Sequence, residues 1–181
     1  MAIPRPGNIQ SAHVLAFCDS VVPAQLPILI PHEPLAHKPL LECLAIVPEH
    51  VSHHGGKQLT GWAIWEGTHI IEAEFHAVWQ DPDGRVVDLT PRPPEMTLAN
   101  ILFLEDPSRE YTGRQIDNIR KPLVDSFNVK RLIKLMERRF EILNEGDLAD
   151  QYEVQLSPAV DRECRELEKE VMKLQLRLSK F

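Results

Sequence analysis

The chain has 181 residues, enough for one domain with an appendage, and at 43% hydrophobic it can bury a core. A net charge of −7 argues against nucleic acid as a general partner, because phosphate binding needs a basic face. Three cysteines (Cys18, Cys43, Cys164) without a CxxC pair form neither a disulfide framework nor a zinc ribbon and fit a reducing compartment. The opening MAIPRPGNIQ has no apolar signal region and no stretch approaches 18 apolar residues, so the expectation is a soluble, cytoplasmic protein with no membrane contact.

Residues 8–22 predict a helix with Ile9, Ala12, His13, Ala16, Phe17 and Ser20 on one face and Asn8 as its cap. Prolines 23, 27, 31, 34 and 39 then rule out a continuous helix and predict an extended segment lying on the domain. Residues 39–47 predict a short helix. Pro39 suits its first turn, and Cys43 falls within the first two turns, where the helix dipole favours a thiolate. His50, His53 and His54 follow at helical spacing. That spacing can offer two imidazoles to a metal, but with no cysteine or carboxylate nearby a solvated helix end is the better reading. No metal and no cofactor are expected. Gly55 and Gly56 turn the chain into a strand over 59–66.

The strand over 70–79 alternates. Ile71, Ala73, Phe75, Ala77 and Trp79 form an apolar face, while Glu72, Glu74 and His76 stand on the other. Such a carboxylate pair can do acid/base work or bind a divalent ion with the histidine, but is more often a solvated strand face. Asp81-Pro82-Asp83-Gly84 suits a type I turn closing a three-residue hairpin with a bulge, and residues 85–90 predict the return strand. In that register Asp81 pairs with Arg85, Val78 with Asp88 and His76 with Thr90. His76 and Asp88 become diagonal neighbours roughly 7–8 Å apart at the backbone, a gap that an imidazole and a carboxylate can bridge. With Cys43 as nucleophile, the three residues are the minimum set for nucleophilic acyl chemistry. Taken singly, Cys43 could be a small buried hydrophobe, His76 a strand residue satisfied by Glu74 or solvent, and Asp88 a strand-end carboxylate. Trp62, Trp65 and Trp79 are core or the wall of a cleft.

The run Glu74-Phe-His-Ala-Val-Trp79, then Asp83-Gly84, then Val87-Asp-Leu-Thr-Pro91 resembles the His-strand and Asp-strand pattern of transglutaminase-like, papain-like-fold proteins. The wider pattern, with Glu42-Cys43, Gly55-Gly56, Gly61-Trp62 and Ile64-Trp65-Glu66, is similar to a group of uncharacterised bacterial and phage proteins. The resemblance covers residues 39 to 92. It implies an α+β fold, with a Cys-bearing helix packed on a small antiparallel sheet. It also implies a catalytic set Cys43, His76 and Asp88 acting on a peptide or protein amide as a thiol hydrolase or acyltransferase (peptidase, deamidase or transglutaminase-like). Six residues before Cys43, where papain-like peptidases carry a glutamine for the oxyanion, stands His37. The alternative is a non-catalytic papain-like scaffold whose C-terminal helices bind a partner.

Residues 98–104 predict a strand or a buried helical turn, and 105–117 a surface loop. The core domain is expected over 1–120 and a helical extension over 121–181. A helix over 127–145, capped by Asp125-Ser126, carries Val129, Leu132, Ile133, Met136, Phe140 and Leu143 on one stripe and stops at Gly146. A second helix starts at Ser157-Pro158. Val160, Cys164, Leu167, Val171, Leu174, Leu178 and Phe181 recur at spacings of 4 and 3, a coiled-coil seam in which Cys164 has a packing role. Flanking charges give a parallel dimer no advantage. An antiparallel homodimer through 157–181 and a helical hairpin with 127–145 both fit.

Overall fold

A computed structural model describes residues 3–146 and 156–179. The protein is α+β, built on one sheet. In chain order the elements are β1 (Arg5–Pro6), α1 (Ala12–Val21), β2 (Ile28–Pro31), α2 (Cys43–His54), β3 (Lys57–Glu66), β4 (Ile70–Gln80), β5 (Val86–Val87), β6 (Asn100–Glu105), β7 (Ile119–Pro122), α3 (Phe127–Leu143) and α4 (Pro158–Leu178). The strands run β2-β6-β3-β4-β5, with β1 added to β3 and β7 to β4, and every ladder is antiparallel. The short apolar run before residue 105 is therefore strand, not a turn of helix.

The expected alternation in β4 holds, but both of its faces are covered. On the first face Ile71, Ala73 and Phe75 pack with Trp62, Ile64, Leu102 and Leu104 under Val14 and Phe17 of α1. Further along that face α2 takes over: Cys43 and Val47 pack on Ala77, and Ile46 packs on Val87 and Leu89. On the second face Ala63, Trp65 and Val78 form a smaller core with Ile30, Ile101 and Phe103. Glu72 and Glu74 are not a solvated strand face. Glu72 accepts from Arg120 Nε at 2.6 Å, and Glu74 accepts from Arg92 and from Trp65 Nε1.

Several boundaries differ from expectation for local reasons. α1 begins after Ser11 rather than Asn8, whose carboxamide oxygen instead accepts from Gln10 N in a turn. α2 begins at Cys43 itself, so Pro39 lies ahead of the helix; Leu41, with φ +64°, donates its amide to Pro91 O just before the helix starts. The return strand is only Val86–Val87. Its register is the expected one, with Trp79 opposite Val87, Gln80 opposite Val86, and Asp81 N bonded to Arg85 O. At Asp88 the chain leaves β4 and makes a parallel bridge to His32 instead.

Gly61 shows how closely this sheet is built. It faces His76 across β3–β4 and Glu105 across β3–β6. A Cβ there would stand 2.2 Å from Leu104 O and 2.8 Å from Glu105 Cα, both backbone atoms that cannot swing away. Gly61→Ala must separate β6 from β3, and the expected loss is about 1–3 kcal/mol of stability. That is a fall of roughly 2–4 °C in Tm for each kcal/mol in a chain of this size. A thermal melt unchanged by the substitution would contradict this packing.

The C-terminal helices form an antiparallel hairpin. Leu132 and Leu135 of α3 pack with Leu174 of α4, flanked by Leu167, Val171 and Leu178, so the heptad seam faces the neighbouring helix of the same chain. Arg131 pairs with Glu170 and Arg138 with Glu163 across the two helices. Glu163 thereby has a cation in α3 of its own chain. Phe181, the last expected seam position, lies outside the described residues. Among those residues no helix is long and apolar enough to cross a membrane.

Candidate active site

Residues 74–78 of β4 have β3 on one side and, among the described residues, no strand ladder on the other. β7 stops pairing at Ala73 and β5 starts at Trp79. The start of α2 packs at this notch: Cys43 lies against Ala77, one residue from His76. The hairpin turn brings Asp88 to the same place. The structure thus gathers Cys43, His76 and Asp88 from one helix and two successive segments of the sheet.

All three are enclosed. Cys43 is 5% exposed, and His76 and Asp88 are fully buried. A buried carboxylate must be bonded on every side to remain charged. Asp88 meets that demand. Its Oδ1 accepts from His76 Nε2 at 2.9 Å and from Thr90 N at 3.1 Å, while Oδ2 accepts from His32 Nδ1 at 2.8 Å. Burial alone would raise its pKa, but the bonds from His32 and His76, with the nearby charges of His76 and Arg92, hold it well below the usual carboxylate range.

Because Nε2 of His76 is committed to Asp88, Nδ1 is the ring nitrogen left for any other partner. Nδ1 is buried, makes no hydrogen bond of good geometry in this arrangement, and lies 3.9 Å from Glu74 Oε1. Burial alone would depress the imidazolium. The Cys43 charge beside it, the Asp88 hydrogen bond and a looser contact with the sulfur outweigh that and lift His76 to about 10. The thiol is also the first residue of α2. The amides of Cys43 and Leu44 stand at the open end of the helix, ahead of its first bonds, which Ala45 and Ile46 make to Glu42 O.

Around the three lies a second group of residues that sequence reasoning missed. His32 belongs to the proline-rich passage, and no local pattern marks it; its role appears only when β2 docks beside Asp88. Arg92 continues the two-residue period of Asp88 and Thr90, the one signal that could have singled it out. Its Nη1 donates to both oxygens of Glu74, each at 2.9 Å, and its guanidinium lies 4.8 Å from the Trp65 ring centroid. Trp65 is thereby both core and a wall of this region.

The three histidines of α2 stand apart from it. His50 and His54 stack with centroids 4.2 Å apart, and His50 meets Trp79 edge-on; burial and the neighbouring histidines lower the His50 pKa. Among the described residues no group of three or more histidine, cysteine or carboxylate side chains could hold a metal ion. No family model, curated protein or solved structure matches this chain.

Proposed function

We propose that the protein is a thiol-dependent amide hydrolase or acyltransferase on a papain-like, transglutaminase-like core, with Cys43 as nucleophile, His76 as acid and base, and Asp88 orienting the ring. One observation carries the reading: a fully buried imidazole whose Nε2 donates to a carboxylate at 2.9 Å while its Nδ1 is left for a thiol at a helix start.

The Cys43 thiolate attacks the carbonyl carbon of an amide, and the carbonyl π electrons move to oxygen. In this reading the amides of Cys43 and Leu44 receive that charge. As the C–N bond breaks, the His76 imidazolium gives its Nδ1 proton to the leaving amine. Water or an amine then gives a proton to His76 as it attacks the thioester, and the thiolate leaves with the electron pair of the C–S bond. Whether water or an amine resolves the thioester separates hydrolysis from transfer. The proposed substrate class is a peptide or protein amide.

The enclosure of Cys43 favours a second reading, a papain-like scaffold without turnover that acts through its helices. The test separates the two. A chloroacetamide-bearing peptide is expected to form one adduct, on Cys43, and Cys43→Ala is expected to abolish it in intact-mass measurements. Equal labelling of both proteins, or none in the native fold, would support the scaffold.

A further inference from the structure

We propose that the junction between the sheet and the C-terminal hairpin is a binding site for a small apolar molecule carrying a hydroxyl group, an alcohol or a phenol. The site lies apart from the thiol. Ile70 and Glu72 of β4 line it, whereas Cys43 packs further along that strand, on Ala77. Its failure would leave the thiol reading untouched.

A cavity of about 250 Å³ lies where α3 and the end of α4 meet the β3–β4 turn. Trp65, Ile70, Leu132 and Met136 give it apolar walls. Close packing leaves few voids larger than a water molecule, so a space of this size stands out. An engineered apolar cavity of about 150 Å³ accepts benzene, and this one has room for a single ring with a short substituent.

The polar side chains on the wall select the head group. Nε2 of His69 meets Leu178 O at 3.1 Å. A carbonyl oxygen only accepts, so Nε2 carries the proton and Nδ1 of the neutral ring holds a lone pair. That Nδ1 is buried without a hydrogen-bond partner. Ser179 donates its hydroxyl to Leu176 O at 3.0 Å, which leaves Oγ as an acceptor. Glu72 accepts from Arg120 Nε on one oxygen at 2.6 Å, and its other oxygen makes no hydrogen bond among the described residues. These three lining groups offer lone pairs and no proton; the exposed Thr68 hydroxyl can serve either way. A carboxylate or phosphate head would set oxygen against oxygen here. Arg120 already neutralises Glu72, so the donor need not be a cation. A neutral O–H on an apolar body answers the wall.

The full chain is titrated with 4-methylphenol and with 4-fluorotoluene, a ring of nearly the same shape without the O–H, and binding is followed by NMR. A cavity that merely takes up apolar rings favours 4-fluorotoluene, the less water-soluble of the two. The hydroxyl site is expected instead to bind 4-methylphenol roughly 3–10-fold more tightly, the net worth of a neutral hydrogen bond. The nitrogen-15 shift of His69 Nδ1 is expected to move as 4-methylphenol saturates the site. His69→Phe, which keeps a ring and removes the lone pair, is expected to reverse the preference. Because that change also frees Leu178 O and can loosen α4, Met136→Trp supplies a second variant that fills the cavity and is expected to abolish binding of both rings. The comparison on the native chain stands whether or not either variant folds. Equal affinities, tighter binding of 4-fluorotoluene, or no binding of either ring at millimolar concentration would overturn the proposal. So would 4-methylphenol binding that survives in folded Met136→Trp, since the ring would then sit elsewhere.

Discussion

Asp88→Ala is expected to destabilise the protein by about 3–5 kcal/mol, the usual result of breaking a buried ion pair from one side. Two buried histidines lose their shared acceptor at once, His32 at 2.8 Å and His76 at 2.9 Å, and Thr90 N loses its partner too. A lower urea midpoint at unchanged m-value checks this. The pH dependence follows from the sign of each shift. Asp88 is held below its ordinary pKa, so its contribution is present above the unfolded value of about 3.9 and fades as pH falls through the folded one. His76 is raised, so its contribution is fully present below about 6.5 and is lost as pH rises towards about 10. Stability should therefore be greatest between about pH 4 and pH 6.5, falling on the acid side with Asp88 and on the alkaline side, through neutral pH, with His76. Asp88→Asn should flatten the acid limb. An acid limb identical in Asp88→Asn would assign the effect to other carboxylates.

The largest expected functional effect belongs to His76→Ala. The proposed Cys43–His76 pair predicts that iodoacetamide alkylates Cys43 at nearly the same rate from pH 6 to pH 8. An ordinary thiol with a pKa of about 8.5 is only about 0.3% thiolate at pH 6. Removing His76 should therefore slow alkylation at pH 6 by roughly a hundredfold, with much of the difference recovered near pH 9. Since Cys43 is enclosed, both proteins react through whatever opening the fold allows, and the comparison isolates the charge state. A native protein whose alkylation rises tenfold per pH unit from 6 to 8 would make Cys43 a packing residue.

How far these features are legible in the sequence depends on how local their causes are. The alternation in β4 and the turn at residues 81–84 are short-range properties, and together they place His76 and Asp88 at the correct register. The heptad seam of α4 was equally plain, whereas its partner was not, because apolar spacing is blind to which helix covers it. β5 is shorter than the pattern implies because a tertiary bridge to His32 captures Asp88. For the same reason His32 and Arg92 could not be assigned beforehand. Their importance comes from what long-range packing sets beside them. The second face of β4 carries charged residues yet is covered, since Arg92 and Arg120 neutralise Glu74 and Glu72 in place.

The double hold on Asp88 has a consequence for how the chain folds. Its two histidine partners lie at very different separations along the sequence, 12 residues for His76 and 56 for His32. Closing the short loop comes with the β4–β5 turn and is quick. Closing the long one carries a larger entropic penalty and must wait for β2 to dock on β6. An intermediate in refolding would then hold the His76–Asp88 contact with one carboxylate oxygen still in water. The reactivity of Cys43, followed during refolding, would report the arrival of β2 and would lag behind the formation of the sheet.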